Sequence, residues 1–359
     1  MKRALATTTA GLAVALATPA AFGQGCVPAR LMTPAWTMQS DIFMRPGEWS
    51  FTVTYRTFHS QQDFRGSQAF HMPSGPDLYA NTRVHGLDMS LTYAATPRLS
   101  LSVEMPLQHG TRQTYYEHDD GALHTMRAGG QGDMRVAGTF SLLDSEKHRN
   151  GNLAVSVGVK LPTGVADATD YSYRSTGKVL RPVDPAVQPG DGSWGLLLGI
   201  IASHKLTNRS YAYLQGVYLV NPRQTNHTQS PFGDRTDLTG GDFGYIQNSV
   251  PDQYLGRVGV SRSMLRAKGI AASLGARIDG VPTYDLLGGS DGYRLPGYTI
   301  AVEPGVSITH GRNFFGLSVP VAVRRHGALS VADMRTGNPI GGIVALAPYQ
   351  LIVTYARRF

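Results

Sequence analysis

The chain has 359 residues, 42 of them glycine and only 16% charged, with a formal net charge of +8 at neutral pH. The positive charges are scattered and form no basic block, which excludes a basic nucleic-acid-binding tail. Beyond residue 18 no apolar stretch is long enough for a membrane-spanning helix, so the sequence excludes a helical membrane protein.

The N-terminal segment predicts secretion. Residues 1–23 combine a basic start, an apolar run over 4–17 and an A-x-G cleavage site at 21–23, as a signal peptide requires. Its removal takes away two basic residues and lowers the formal charge to +6. Residues 24–46 are then expected to form an extended periplasmic lead-in.

The single cysteine, Cys26, excludes an intramolecular disulfide. Because it follows the signal peptide closely, lipidation is an alternative. A lipobox wants leucine or a similar residue three positions before the cysteine, and this chain has Gly23 there. A free thiol or an ordinary linker residue is the preferred interpretation.

From residue 47 onward, apolar and polar residues alternate with period two, the pattern of β-strands with one apolar face. The clearest example has Leu99, Leu101, Val103, Met105 and Leu107 on one face. The alternation predicts twelve strands, at about 49–56, 84–94, 99–108, 133–142, 153–162, 193–204, 210–220, 253–264, 269–280, 297–309, 313–325 and 349–359.

Five short turns alternate with six long loops in this scheme. The loops are at about 59–83, 109–131, 163–192, 221–252, 281–296 and 326–348. An even strand number, short periplasmic turns and long outer loops are typical of bacterial outer-membrane barrels. The sequence therefore predicts an all-β, transmembrane, antiparallel up-and-down β-barrel over 47–359 in the outer membrane. Both termini would be periplasmic, and the last strand would pair with the first.

Charged residues in the strands fall on the parity opposite the large aliphatic residues. A Lys or Arg facing lipid near the bilayer midplane costs about 2–4 kcal/mol, so this parity should face the lumen. The predicted lumen-lining residues are Arg56, Asp88, Glu104, Asp133, Arg135, Lys160, Arg257, Arg277, Asp279, Glu303 and Arg324. In a soluble sandwich the aliphatic face would instead form a core. Twelve evenly spaced strands, the signal peptide and the terminal Phe359 disfavour that alternative.

Further expectations concern the wall and its partners. Aromatic residues near strand ends suit interfacial girdles. Pro304 and Pro320 lie inside predicted strands, so a bulge or a ladder break is expected near each. Outer-membrane lipid and lipopolysaccharide should contact the wall. The barrel-assembly machinery should read Phe359, although Arg357 stands where an apolar residue is usual. Nucleic acid is not an expected partner.

Three segments carry a resemblance to a known family. They are Gly132-Asp133-Met134-Arg135-Val136, the K-L-P-T-G segment at 160–164, and Gln188-Pro189-Gly190-Asp191-Gly192-Ser193-Trp194. The chain resembles, in these segments, the outer-membrane family named after the meta-cleavage pathway of phenol degradation, whose members are commonly labelled transporters. The resemblance implies a transporter-like barrel that takes up small solutes, aromatic ones among them, and it supplies no catalytic residues.

No other motif points to catalysis, and no cofactor is expected. Glu117-His118-Asp119-Asp120 could bind a divalent cation or belong to a rim protease, but a solvated loop tip is the preferred interpretation. No histidine pair has metal-ligand spacing. The leading hypothesis is a pore or uptake channel for small solutes, and the alternative is a closed structural or partner-binding barrel. Twelve strands lie between filled and open barrels, so strand number does not choose between them.

Overall fold

The computed structural model describes residues 44–359 except 71–79, 116, 119, 145–146, 149, 235–239 and 339–340. The predicted signal peptide, Cys26 and nearly all of the lead-in lie outside the described residues, as does Asp119. No helix within the described residues is long and apolar enough to span a membrane.

Twelve strands form the wall, and strands 4 and 11 each consist of two segments. They are β1 Trp49–Ser60, β2 Asn81–Ala94, β3 Leu99–Thr114, β4 His124–Gln131 with Arg135–Ser141, β5 Gly151–Lys160, β6 Gly195–Lys205, β7 Ser210–Val220, β8 Gln253–Leu265, β9 Ile270–Val281, β10 Gly297–His310, β11 Asn313–Ser318 with Val321–Gly327, and β12 Gln350–Arg358.

Each wall strand pairs antiparallel with its neighbours in the chain, and β12 pairs with β1 to close the barrel. Phe359 completes this seam, because its backbone N–H donates to Trp49 O at 3.0 Å and its carbonyl oxygen accepts from Trp49 N at 3.0 Å. The predicted all-β antiparallel barrel of twelve strands is confirmed. We call the end with the five short turns the turn end and the opposite end, with the six long connections, the loop end.

The strands extend further toward the loop end than the alternation predicts. β2 begins at Asn81, β3 continues to Thr114, and His124–Gln131 pairs with the upper half of β3. The predicted loop at 109–131 is therefore wrong, since only residues 115–123 connect the strands. The aliphatic pattern is interrupted in this region by histidine, glycine and arginine, so alternation does not reveal these strand extensions.

Pro304 and Pro320 meet at one seam. Gly305 pairs with Ser318 and Val302 with Val321, so the residues between them, including both prolines, leave the β10–β11 ladder. β10 remains paired with β9 through Pro304. The expected break is thus confirmed on one side of β10 and interrupts β11 at Pro320.

The large aliphatic side chains face outward along the middle of the wall. Val157, Leu274 and Val258 are more than half exposed, and the alternate residues of the same strands are turned inward. At the turn end the rings of Trp49 and Tyr93 lie 4.6 Å apart on this outer face. The outer surface is therefore an apolar band that requires lipid or detergent.

Shorter elements cover the loop end. They are the strands Asp63–Arg65, Gln68–Ala69, Thr169–Arg174, Gly177–Pro182, Thr225–Gln229, Gln247–Ser249 and Ile343–Ala345, the 3₁₀ turn Phe243–Tyr245 and helix α1, Val331–Thr336; a second 3₁₀ turn, Arg266–Lys268, joins β8 to β9. A capping box between Ser330 and Asp333 starts α1. These elements close over the barrel mouth, where Phe64, Val344 and Leu346 form a small core.

Candidate functional site: the closed lumen

The structure places ten of the eleven predicted lumen residues on the inner parity. Arg257 is partly buried and pairs with Glu303. The buried members of this set are Arg56, Asp88, Glu104, Asp133, Arg135, Lys160, Arg277, Asp279 and Glu303.

Arg324 lies outside the lumen and corrects the prediction. Ile300 pairs with Arg324 but Ala301 pairs with Ala322, so one extra residue, Val323, bulges from β11. The bulge reverses the facing of the residues beyond it. Arg324 is exposed, and the neighbouring Arg325 donates from Nη1 to Leu346 O at 3.1 Å. Alternation alone could not find the extra residue.

The inner charges are paired. Arg135 Nη1 donates to Glu104 Oε1 at 2.6 Å, and Arg277 Nε donates to Asp279 Oδ1 at 2.8 Å. Arg257 binds Glu303 through Nε and Nη2 at 3.0 and 2.6 Å, a bidentate arrangement. Arg56 interacts electrostatically with Arg277 and Asp279 from across the barrel. The charges thus reach toward one another over the cross-section.

The three segments of the family resemblance converge at one junction. Asp133 accepts at Oδ1 from Gly164 N at 3.0 Å and at Oδ2 from Asp191 N at 2.7 Å. The Asp191 carboxylate in turn accepts from Lys160 Nζ at 2.5 Å. A Cβ on Gly190 would lie 2.7 Å from Gly164 Cα, so the two turns touch only because Gly190 has no side chain. This junction ties the long connection between β5 and β6 to the wall.

Part of that connection enters the barrel, and we call residues 183–191 the plug segment. Gln108 Nε2 donates to Gln188 O at 3.0 Å, while the Gln188 side chain bonds the backbone of Ala168 and Val183. Near the loop end, Asp184 accepts from Tyr293 OH at 3.1 Å and lies 3.7 Å from Arg112 Nε. Hydrogen bonds and two ion pairs therefore hold the plug segment against the wall.

An apolar row on the inner wall receives the plug segment. Phe58, Val84, Gly110 and Ala128 stand side by side in register across β1 to β4. With Met126, Val183 and Val187 the side chains of this row form one buried cluster. We call the wall residues Phe58, Val84, Gly110, Met126 and Ala128 the apolar pocket.

Gly110 makes room in the apolar pocket for Val187. A Cβ on Gly110 would lie 2.8 Å from Cβ of Val187, closer than side chains approach. One pleat deeper, Gly86 plays the same part, because a Cβ there would lie 2.8 Å from Nη2 of Arg56. Small residues on the inner face thus let the plug segment and a guanidinium lie flat on the wall.

A small cavity lies below the apolar pocket, beside the plug segment. It has a volume of about 20 Å³ among Arg56, Asp88, Gln108, Lys160 and Asp191, which is enough room for about one water molecule. The described residues that line this cavity leave room for water but not for a solute.

The sequence interpretation missed the apolar pocket, Arg112, Gln108 and the whole plug segment. A signal for the plug segment was present, because Gln188 and Asp191 belong to one of the three family-like segments. The pocket residues were not predicted, because the sequence interpretation assigned only polar side chains to the inner parity.

The acidic loop cluster has a structural role. Glu117 accepts from Arg112 Nε at 2.6 Å, and buried His118 accepts at Nδ1 from Tyr173 N at 3.0 Å. Burial, together with the neighbouring His124, lowers the pKa of His118 to about 4. Across the described residues no group of three His, Cys, Asp or Glu side chains could hold a metal ion. Asp119 lies outside the described residues.

Comparison with known proteins gives structural matches only. No family model matches the chain, and neither does any curated protein. An outer membrane channel from Pseudomonas putida F1 is 15% identical, with a TM-score of 0.56 over 92% of this chain and 100% of that chain. The toluene transporters TodX of P. putida (10% identity, TM-score 0.41, covering 94% and 99%) and TbuX of Ralstonia pickettii (11%, 0.43, 94% and 98%) also match.

At 15% identity the likeness to the P. putida F1 channel shows the fold alone, and the two lower TM-scores carry no argument. The match nevertheless extends over nearly the whole of both chains. The β-barrel fold that the family resemblance implies is therefore confirmed.

Proposed function

We propose that this protein is an outer-membrane uptake channel for small hydrophobic solutes, aromatic ones among them, and that the structure is its closed state. Its long loops face the outside and its termini the periplasm, as in other barrels with short turns at one end. The fold shared with an outer membrane channel supports this proposal.

The observation that carries the proposal is the apolar pocket filled by the plug segment. Val183 and Val187 are fully buried against the apolar wall residues of this pocket. Apolar burial is non-directional, so a hydrophobic solute that displaces the two valines regains much of the same contact. The pocket is thus complementary to a small apolar molecule rather than to a sugar or an ion.

The attachment of the plug segment is suited to reversible opening. It is held by side-chain hydrogen bonds and by ion pairs rather than by strand pairing with the wall. Its release exposes polar groups that water can solvate. Opening therefore costs no broken barrel ladder.

Uptake of radiolabelled toluene and of a sugar tests this function in proteoliposomes with a lipopolysaccharide outer leaflet, because a plain phospholipid bilayer already lets toluene through. The wild-type protein should admit toluene faster than protein-free vesicles and should exclude the sugar. V183A/V187A weakens the closing contacts and should raise toluene entry several-fold, whereas the outer-face variant V157A should not. Toluene entry equal to that of empty vesicles, for both wild type and V183A/V187A, would rule out the channel.

The closed cross-section favours a second candidate, a sealed barrel that serves the envelope or binds a partner through its loops. It predicts no conductance in planar bilayers, either for the wild type or for R257A and R277A. It also predicts a phenotype when the loops 163–192 or 221–252 are shortened.

A further inference from the structure

A cluster of basic side chains lies on the outer face of the wall at the loop end of β1 to β4. Arg83, Arg127 and His109 are exposed there, and His59 and His85 are partly exposed. All five have the parity of the lipid-facing aliphatic residues rather than that of the lumen. We call these five residues the basic patch.

Strand register places the two arginines close together. His59 pairs with Arg83, Arg83 with Thr111, and Thr111 with Arg127, so they form one row across four strands. Neighbouring strands lie about 4.8 Å apart, which puts the Cα atoms of Arg83 and Arg127 about 10 Å from each other. One pleat nearer the turn end, His85 stands opposite His109.

The histidines are oriented by neighbours. Tyr55 OH lies 2.7 Å from His85 Nδ1, and Asn81 Oδ1 lies 2.6 Å from His59 Nε2. A Cβ on Gly129 would be 3.0 Å from His109 Nδ1, so the ring lies over the space that this glycine leaves.

The arginines carry charges that the wall does not neutralise. Over the described part of the chain, neither Arg83 nor Arg127 forms an ion pair. The nearby carboxylate of Asp170 accepts from the backbone N–H groups of Arg127 and Tyr171, both at 2.8 Å, rather than from a guanidinium. Two guanidinium groups therefore remain available to an anion outside the wall.

The depth of the arginines matches a lipid headgroup. Tyr93 marks the turn-end girdle, and Arg83 is ten positions further along β2. A rise of about 3.4 Å per residue and a tilt of about 40° put Arg83 about 26 Å above Tyr93. The apolar band of such barrels is about 25 Å tall, so the guanidinium lies at its outer edge, above Leu87 and Met89.

The patch is local. Outward positions near the loop end of β5 to β10 carry apolar or aromatic residues such as Trp194, Tyr218, Tyr254 and Tyr298, and none of them is charged in the described wall. On β11, Cζ of Arg324 lies 5.7 Å from the centre of the Tyr298 ring, and this arginine is not part of the basic patch. A uniform headgroup contact would not need such a concentration on four strands.

We propose that the basic patch binds the phosphorylated disaccharide of lipid A, the anchor of lipopolysaccharide in the outer leaflet. Arg83 and Arg127 each donate a forked pair of hydrogen bonds to a phosphate, a geometry that guanidinium favours. The acyl chains then pack on Leu87 and Leu107, which continue the two strands below the histidines. The inference rests on the proposed outward orientation of the loop end, but not on transport.

Binding of purified full-length protein to lipid A in mixed detergent micelles tests the proposal, with diphosphoryl lipid A, monophosphoryl lipid A and inorganic phosphate as probes. The wild type should prefer the diphosphoryl form. R83Q/R127Q should bind it about tenfold or more weakly and lose the preference, since two charge-assisted contacts are removed. R83K/R127K keeps the charge but cannot form the forked contact, so its affinity should lie between that of the wild type and that of R83Q/R127Q.

The matched control is R98Q/R262Q, which removes two exposed arginines from the turn end and should leave lipid A binding unchanged. If R83Q/R127Q does not fold, T111E provides the test, because it puts a carboxylate between the two arginines and should weaken binding similarly. Equal binding by wild type and R83Q/R127Q or T111E would overturn the proposal. So would phosphate binding as tight as that of lipid A, or dimerisation through the patch without lipid binding. Toluene uptake should be unaffected, so failure here is distinguishable from failure of the channel.

Discussion

Two levels of the lumen lie on the same strands and differ in chemistry. At the level of Phe58 and Val84 the inner wall is apolar and its partners are valines of a loop. Toward the turn end, at the level of Arg135 and Lys160, the wall is ionic. Both levels are closed in the structure, but by contacts of different kinds.

The difference in chemistry suits the two levels to different roles. Apolar contacts are not directional, so a solute can replace the plug segment at the upper level with little loss. Ion pairs at the lower level require particular partners, and a solute that separates them must leave charges unpaired. The upper level is therefore suited to binding, and the lower level to holding the interior shut and discriminating against solutes that cannot satisfy the charges.

The largest expected effect comes from breaking the lower level. R135L leaves Glu104 buried without its partner and should destabilise the barrel by about 3–5 kcal/mol. Urea unfolding in detergent micelles measures the loss. The double variant R135L/E104L removes both charges and should recover most of the stability. If R135L alone unfolds like the wild type, the ionic layer is not what secures this level.

A smaller effect should follow at the upper level from G110A. The new Cβ would meet Cβ of Val187 at 2.8 Å, so the plug segment must shift, at an overpacking cost of about 1–3 kcal/mol. Hydrogen exchange should accelerate in residues 183–191 and stay unchanged in the amide groups of β8 and β9. G110A/V187A restores the space and should slow the exchange again. Unchanged exchange in G110A would show that the segment is not packed on Gly110 in solution.

The smallest effect concerns pH at the loop end. Burial beside His124 lowers the pKa of His118 to about 4, so the folded loop resists the proton that the unfolded loop accepts near pH 6.5. The stability that neutral His118 contributes is thus complete above pH 6.5 and is lost as the pH falls toward 4. A protonated Nδ1 would also face the Tyr173 N–H, its present donor.

Hydrogen exchange of the Tyr173 amide, corrected for intrinsic rates, should consequently accelerate between pH 6.5 and 4. H118N keeps an acceptor for this amide but does not titrate, so its exchange should show no such step. The same acceleration in both proteins would assign the change to another group.

The sequence was sufficient for the wall and insufficient for its contents. Period-two alternation predicts the twelve strands because the bilayer requires one apolar face on each of them. Pro320 predicts the break in the β10–β11 ladder, because proline has no N–H to donate. Alternation cannot predict Val323, because a bulge adds one residue without a compositional signal, and this misplaced Arg324. The position of the plug segment was not predicted for a different reason. Its position depends on long-range contacts such as Asp133 with Asp191, which no local pattern encodes.

Toluene uptake with a reversible disulfide between the wall and the plug segment shows whether this segment must move for a solute to pass. In a C26S background, G110C/V187C introduces two cysteines whose Cβ atoms would lie 2.8 Å apart, so a shift of about 1 Å reaches the Cβ separation of a disulfide. In proteoliposomes with a lipopolysaccharide outer leaflet, the oxidised protein should admit toluene no faster than empty vesicles of the same composition, and reduction should restore entry. Equal toluene entry before and after reduction, with the disulfide verified by mass spectrometry, would contradict a plug segment that must move for solute to pass.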